Sequence, residues 1–278
     1  AESWFEGLAE PDEAQSGADL LEDVVSALGG GGEAFRHAFQ QSSSELEAAL
    51  RPMFTALPAS SGGRLSPTAI RYALYRLFLS KRGWLVKGLD PEGQAWNGSS
   101  LTSTPLLAQT SEGVRDAVGK RLAGPGMNLQ ETVVLASLLQ HNVHEEAGRR
   151  LRTVYGLLGL QTSTPTLAAT TQRAVEIYMA GFALGSDPTS LNKTAVLQDL
   201  AIIPQLYPHW PYVLKSMRAV LRQKVHADSG TVDFADAAWV AQHIGDTFAQ
   251  WQEPACQAMK ASLVRIEDQS SGRVRLAD

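Results

Sequence analysis

His141, His144 and Glu145 form the densest grouping of chemistry-bearing side chains in the sequence. On a helix they stand at i, i+3 and i+4, so one face could hold all three. Two imidazoles and a carboxylate suit zinc or iron and would leave a coordination position open for catalysis. That is the donor set of a helical metal-dependent enzyme or metal carrier. The competing reading is plain. Glu145 with Arg149 and Glu146 with Arg150 are i, i+4 ion pairs of a solvated face, and His144 lies at the edge of an apolar stripe. Cys256 is the single cysteine, which excludes an intramolecular disulfide and a multi-cysteine zinc site. His243 and several acids lie near it in sequence, but a lone cysteine more often packs than reacts. No Gly-x-Ser-x-Gly elbow, P-loop or dinucleotide fingerprint occurs. The glycine run at 29–32 has no strand before it and no lysine after it, so it does not read as a phosphate loop.

Composition narrows the partner. The net charge is −5 and no long basic patch occurs, so nucleic acid is not expected. No run of about eighteen apolar residues occurs, so no membrane span is expected. An apolar fraction of 44% is enough for a globular core. Residues 1–13 are acidic around Trp4 and Phe5 and read as an arm that docks on a protein partner. The chain begins at Ala1, which suggests a processed N-terminus of an organellar or secreted protein. Two glycosylation sequons, at Asn97 and Asn192, add little, because two matches in a chain this long are close to chance.

The elements that would position these groups are helices, organised around Ser60–Phe78. Gly62 and Gly63 mark a turn, Leu65 is a lone buried residue, and Ser66-Pro67 opens a helix with Ile70, Leu74, Leu77 and Phe78 on one face. Upstream, Leu46, Leu50, Met53, Phe54 and Leu57 make a second face. This helix-loop-helix unit resembles an EF-hand, in which loop position six is Gly, eight is aliphatic and twelve is acidic. Gly63 and Leu65 take six and eight; Ala69 at twelve and Pro58 at one cannot ligate a cation. Three weaker copies follow. Met127 and Glu131 take eight and twelve of the second, with Lys120 at one, and Leu167 takes eight of the third, which has no acids. In the fourth, Gly230, Val232 and Asp236 take six, eight and twelve, with Asp233 at nine. Asp228, Asp233 and Asp236 are the loop acids that could keep residual calcium affinity. Such units pair through two-residue bridges at position eight, and these bridges would be the only β structure.

The expected fold is therefore all-α, a bundle of paired, degenerate EF-hand-like units. Residues 1–32 would form an acidic arm, detachable at its glycine linker. Residues 33–160 and 161–269 would form two helical halves, and 270–278 a polar tail. Ser42–Ser44 could interrupt one helix, Asp187-Pro188 would cap another, and Pro254 would begin a new one. Trp84 and Trp96 flank a turn at Asp90–Gly93 and would pin that loop to the body.

The segments RYALYRLF, GWLVKGLDPEGQAWNGSS and LLQHNVHEE resemble, in that order, a group of uncharacterised helical proteins of dinoflagellate algae, over roughly residues 45–155. The resemblance implies a helical fold and no particular activity, and it directs attention to His144 and the Trp84–Trp96 loop. The functional expectation is a non-enzymatic helical binding or scaffold protein, a subunit of a larger assembly. The metal-dependent reading at His141, His144 and Glu145 is the alternative.

Overall fold

A computed structural model describes residues 11–60, 62–89, 107, 110–124, 126–186, 192–267 and 273. Residues 1–10 of the acidic arm, the turn at 90–93 with Trp96, the Asn97 sequon, Asp187-Pro188 and most of the tail lie outside the described residues. Among the described residues the fold is all-α: nine helices and one pair of two-residue strands. The helices are α1 (Pro11–Leu28), α2 (Gly32–Ala56), α3 (Pro67–Arg82), α4 (Glu112–Ala123), α5 (Leu129–Leu158), α6 (Ala168–Leu184), α7 (Lys193–Leu206), α8 (Trp210–Arg222) and α9 (Phe234–Arg265). The strands are β1 (Thr166–Leu167) and β2 (Thr231–Val232). No helix among the described residues is long and apolar enough to cross a membrane.

Local chemistry explains most boundaries. Ser66 accepts a hydrogen bond from the Ala69 N–H and Pro67 follows at the first helical position, so α3 starts where the capping rule puts it. Gly83 closes α3 in the left-handed region, and the Trp84 N–H bonds back to the Phe78 carbonyl. Ser111 caps α4 through the Val114 N–H. Asn192, not Asp187, caps α7, accepting from the Ala195 N–H.

Three expectations about interruptions fail for identifiable reasons. Helix α2 runs unbroken through Ser42–Ser44, where the Ser42 hydroxyl bonds to the Ala38 carbonyl instead of competing with the helix. Helix α9 runs through Pro254: a proline removes one hydrogen bond, and a 32-residue helix has ample bonds on either side. The glycine run does not free an arm. Gly29–Gly31 form one 3-10 turn, and Gly32 is buried so close to α1 that a Cβ there would stand 2.3 Å from the Val25 carbonyl oxygen. Helix α1 then buries Leu20 and Val24 completely.

The chain divides into two compact units, 1–145 and 146–278, so the boundary falls inside α5 and earlier than the expected one at 160. Each unit has its own core. The first packs α1 to α4 and the start of α5 around Leu50, Leu65, Ile70, Leu74, Phe78 and Met127. The second packs the end of α5 and α6 to α9 around Tyr155, Val175, Met217, Val232 and Val240.

The four position-eight residues carry the β pairing. Leu65 and Met127 exchange both backbone hydrogen bonds, at 2.9 and 3.2 Å, and both are fully buried. In the second unit Thr166 faces Val232 and Leu167 faces Thr231, antiparallel, so the position-eight residues are diagonal neighbours there. Val232 is fully buried, but Leu167 is 62% exposed.

Candidate functional site

In the first unit the loops converge on Glu131, whose side chain is fully buried. It sits one turn into α5 and is first fixed locally: the Glu131 N–H donates to Asn128 Oδ1 at 2.9 Å and the Asn128 N–H donates to Glu131 Oε2 at 3.0 Å. This is a reciprocal capping box. Three more groups then close on the carboxylate. Arg64, from the loop before α3, places Nη1 2.7 Å from Oε2 and also donates to the Gly126 carbonyl. Arg121, from the end of α4, places Nη1 2.9 Å from Oε1. The Ser16 hydroxyl of α1 donates to Oε1 at 2.6 Å and accepts from Arg121 at 3.1 Å. Each carboxylate oxygen thus accepts two hydrogen bonds, and two guanidiniums, each about three-quarters covered, supply the positive charge. The EF-hand-like numbering expected from the sequence puts Glu131 at position twelve, where a calcium ligand would stand. Here arginines stand where a cation would, and a divalent ion entering would meet two like charges.

The first sequence-derived constellation is not assembled. His141 packs edge-on against Phe35, with ring centroids 5.6 Å apart, and His144 packs edge-on against Trp84 at 6.0 Å. Glu145 is exposed. Burial holds the His141 imidazole below its ordinary pKa; Glu145 opposes that shift and His144 adds to it. These imidazoles serve aromatic packing, and Trp84 is itself buried and stacked on Phe78. Cys256 is exposed.

The fourth loop gathers two of its three expected ligands. Asp233 and Asp236 meet His226, and the ligand atoms of this trio lie within 4.8 Å of one another; no other described trio of His, Cys, Asp or Glu does so. Asp228 is not in the group and sits exposed at the tip of the turn. The backbone explains the exchange. The His226 N–H bonds to the Thr231 carbonyl and the Gly230 N–H returns to the His226 carbonyl, so the turn folds His226 back beside β2. His226 Nε2 lies 3.2 Å from Asp233 Oδ2, and Lys224 Nζ lies 3.0 Å from Asp236 Oδ1 and 4.3 Å from the Trp239 ring centre.

The second unit also contains a small apolar depression, lined by Tyr178, Met179, Phe182, Tyr207, Trp210 and Ile244 among others. Burial raises the Tyr178 hydroxyl far above its ordinary range, so it stays protonated. Ile202 and Leu206 of α7 and Tyr212 of α8 are 44%, 61% and 54% exposed.

Sequence reasoning missed Arg64, Arg121, Ser16, Lys224 and His226. The Asn128-x-x-Glu131 capping box was the one local signal present, and it foretells a carboxylate folded back onto that helix start. No known protein-family model matches the chain, and no significant similarity links it to a curated protein or a solved structure.

Proposed function

We propose that the protein is a non-enzymatic helical binding or scaffold protein, a subunit of a larger assembly, built from two EF-hand-like pairs whose cation role has passed to side chains. The observation that carries this reading is Glu131: a buried position-twelve carboxylate, saturated by Arg64, Arg121, Ser16 and the Asn128 N–H, beside the Leu65–Met127 backbone exchange. A pair locked in this way holds its shape without calcium and is free to act as a permanent platform.

The occupant we assign to the second unit is an amphipathic helix with an acidic outer face. The first unit sets the precedent. Its own α1 lays Leu20, Val24 and Val25 into the core while Asp19, Glu22 and Asp23 face out. The second unit has an apolar depression that Trp210 and Val213 of α8 help to line, exposed apolar Ile202, Leu206 and Tyr212 on α7 and α8, and exposed Lys215 and Arg222 on α8. Helix-in-groove docking uses this combination.

The test is a selection of displayed helical peptides against the whole chain. Acidic amphipathic helices are expected to enrich, to bind equally in EDTA and in millimolar Ca²⁺, and to lose binding to Ala183→Arg, which fills the depression. Enrichment of no helix, or binding indifferent to Ala183→Arg in a folded variant, overturns the docking. Glu131→Gln is expected to destabilise the fold by about 3 kcal/mol, since it strands two guanidiniums that are about three-quarters covered. Calcium heat in the wild type that disappears in Glu131→Gln would show an ion site instead.

A further inference from the structure

We propose that His226, Asp233 and Asp236 form a site for a zinc-like transition-metal ion, held closed in the resting protein by the Lys224 ammonium. The reading of the protein as a binding scaffold does not depend on it.

The donor set decides the class of ion. One imidazole and two carboxylates are a borderline set that suits Zn²⁺; Ca²⁺ prefers six or more oxygens, and Asp228, which would add one, is not in the group. The geometry is close. Ligands of a tetrahedral zinc at about 2.0–2.1 Å stand roughly 3.3 Å apart. The His226–Asp233 edge is already 3.2 Å, and no pair in the trio exceeds 4.8 Å. Asp233 occupies the cap position of α9, yet its side chain makes no cap bond and faces the imidazole. An aspartate at a helix start ordinarily bonds the free N–H groups there, so this carboxylate is held for another partner.

Lys224 supplies the present neutralisation. Its ammonium bridges Asp236 and the Trp239 face. A divalent ion would take the Asp236 oxygen with twice the charge, release the ammonium from the carboxylate and leave it on the indole. With three protein ligands the fourth position would be open to water or to a partner's donor atom. Trp239, 38% exposed and stacked on His243 with centroids 4.9 Å apart, would report the change in its fluorescence.

The experiment is a titration of the purified full chain with ZnCl₂, read by calorimetry and tryptophan emission, with CaCl₂ in parallel. Expected are one zinc bound per chain, at least about tenfold weaker binding in His226→Gln and in Asp233→Asn, and several-fold tighter binding in Lys224→Met, which removes the competitor. The emission change should vanish in Trp239→Phe while the heat remains. Ca²⁺ up to 1 mM should give neither signal. No zinc heat up to 1 mM, or zinc binding indifferent to His226→Gln in protein of unchanged circular dichroism, overturns the proposal. Zinc binding unaltered in Lys224→Met overturns the gating role of the lysine.

Discussion

The buried Glu131 carboxylate is neutralised by side chains alone. A carboxylate removed from water needs opposite charge and four hydrogen bonds, and it finds both in Arg64, Arg121, Ser16 and its own capping box. His141 obeys the same rule with the opposite result: lacking a full counter-charge, it is better kept neutral against Phe35. This has a pH consequence. The folded-state pKa lies below the unfolded value, so the unfolded chain binds the extra proton first. Stability contributed by neutral His141 is fully present above about pH 6.5 and is lost as pH falls through the folded-state value. Urea midpoints measured from pH 7.5 to 5 should fall in the wild type and fall less in His141→Gln. Equal slopes would show that other groups carry the acid sensitivity.

The element that organises the first unit is the clasp between its two loops. It depends on Gly126, which has φ +93° and lies so close to the partner loop that a Cβ would stand 2.1 Å from the Leu65 carbonyl oxygen. That oxygen accepts the Met127 N–H, so any side chain at 126 pushes apart the groups that hold the loops together. Gly126→Ala should lower stability by about 3 kcal/mol, combining a strained left-handed backbone with a lost bridge. Gly62→Ala, in the facing loop but with open space around it, should change stability by no more than about 0.5 kcal/mol. Matched denaturant curves for the two variants check the contrast. Helix α1 makes a similar close approach, because a Cβ on Gly17 would stand 2.6 Å from Gln130 Cβ. The helix is thereby seated beside the Glu131 cluster rather than left as an arm.

At the scale of the molecule, two apolar cores fall on either side of the boundary at 145. Leu74 and Met217 are fully buried, one in each core. Truncating either to alanine should cost about 2–5 kcal/mol. Hydrogen exchange should localise the loss to residues below 145 for Leu74→Ala and above 146 for Met217→Ala. Uniform loosening of the whole chain by both variants would mean the cores act as one cooperative body.

The sequence by itself determined the helical class, the Ser66 cap and the residues that meet at the loops, because these follow from period, capping chemistry and glycine turns within a few residues. Leu65, Met127 and Val232 are buried at their bridges, and Ser66 caps where local rules put it. Tertiary structure alone decided which charges meet. Arg64 and Glu131 are 67 residues apart and Ser16 and Glu131 are 115 apart, and no local pattern reports such pairs. It also decided that Pro254 lies inside a helix and that α1 belongs to a core, since burial and many neighbouring bonds outweigh a single residue's preference. Contacts between residues distant in sequence depend on how elements pack, and packing is a property of the whole fold.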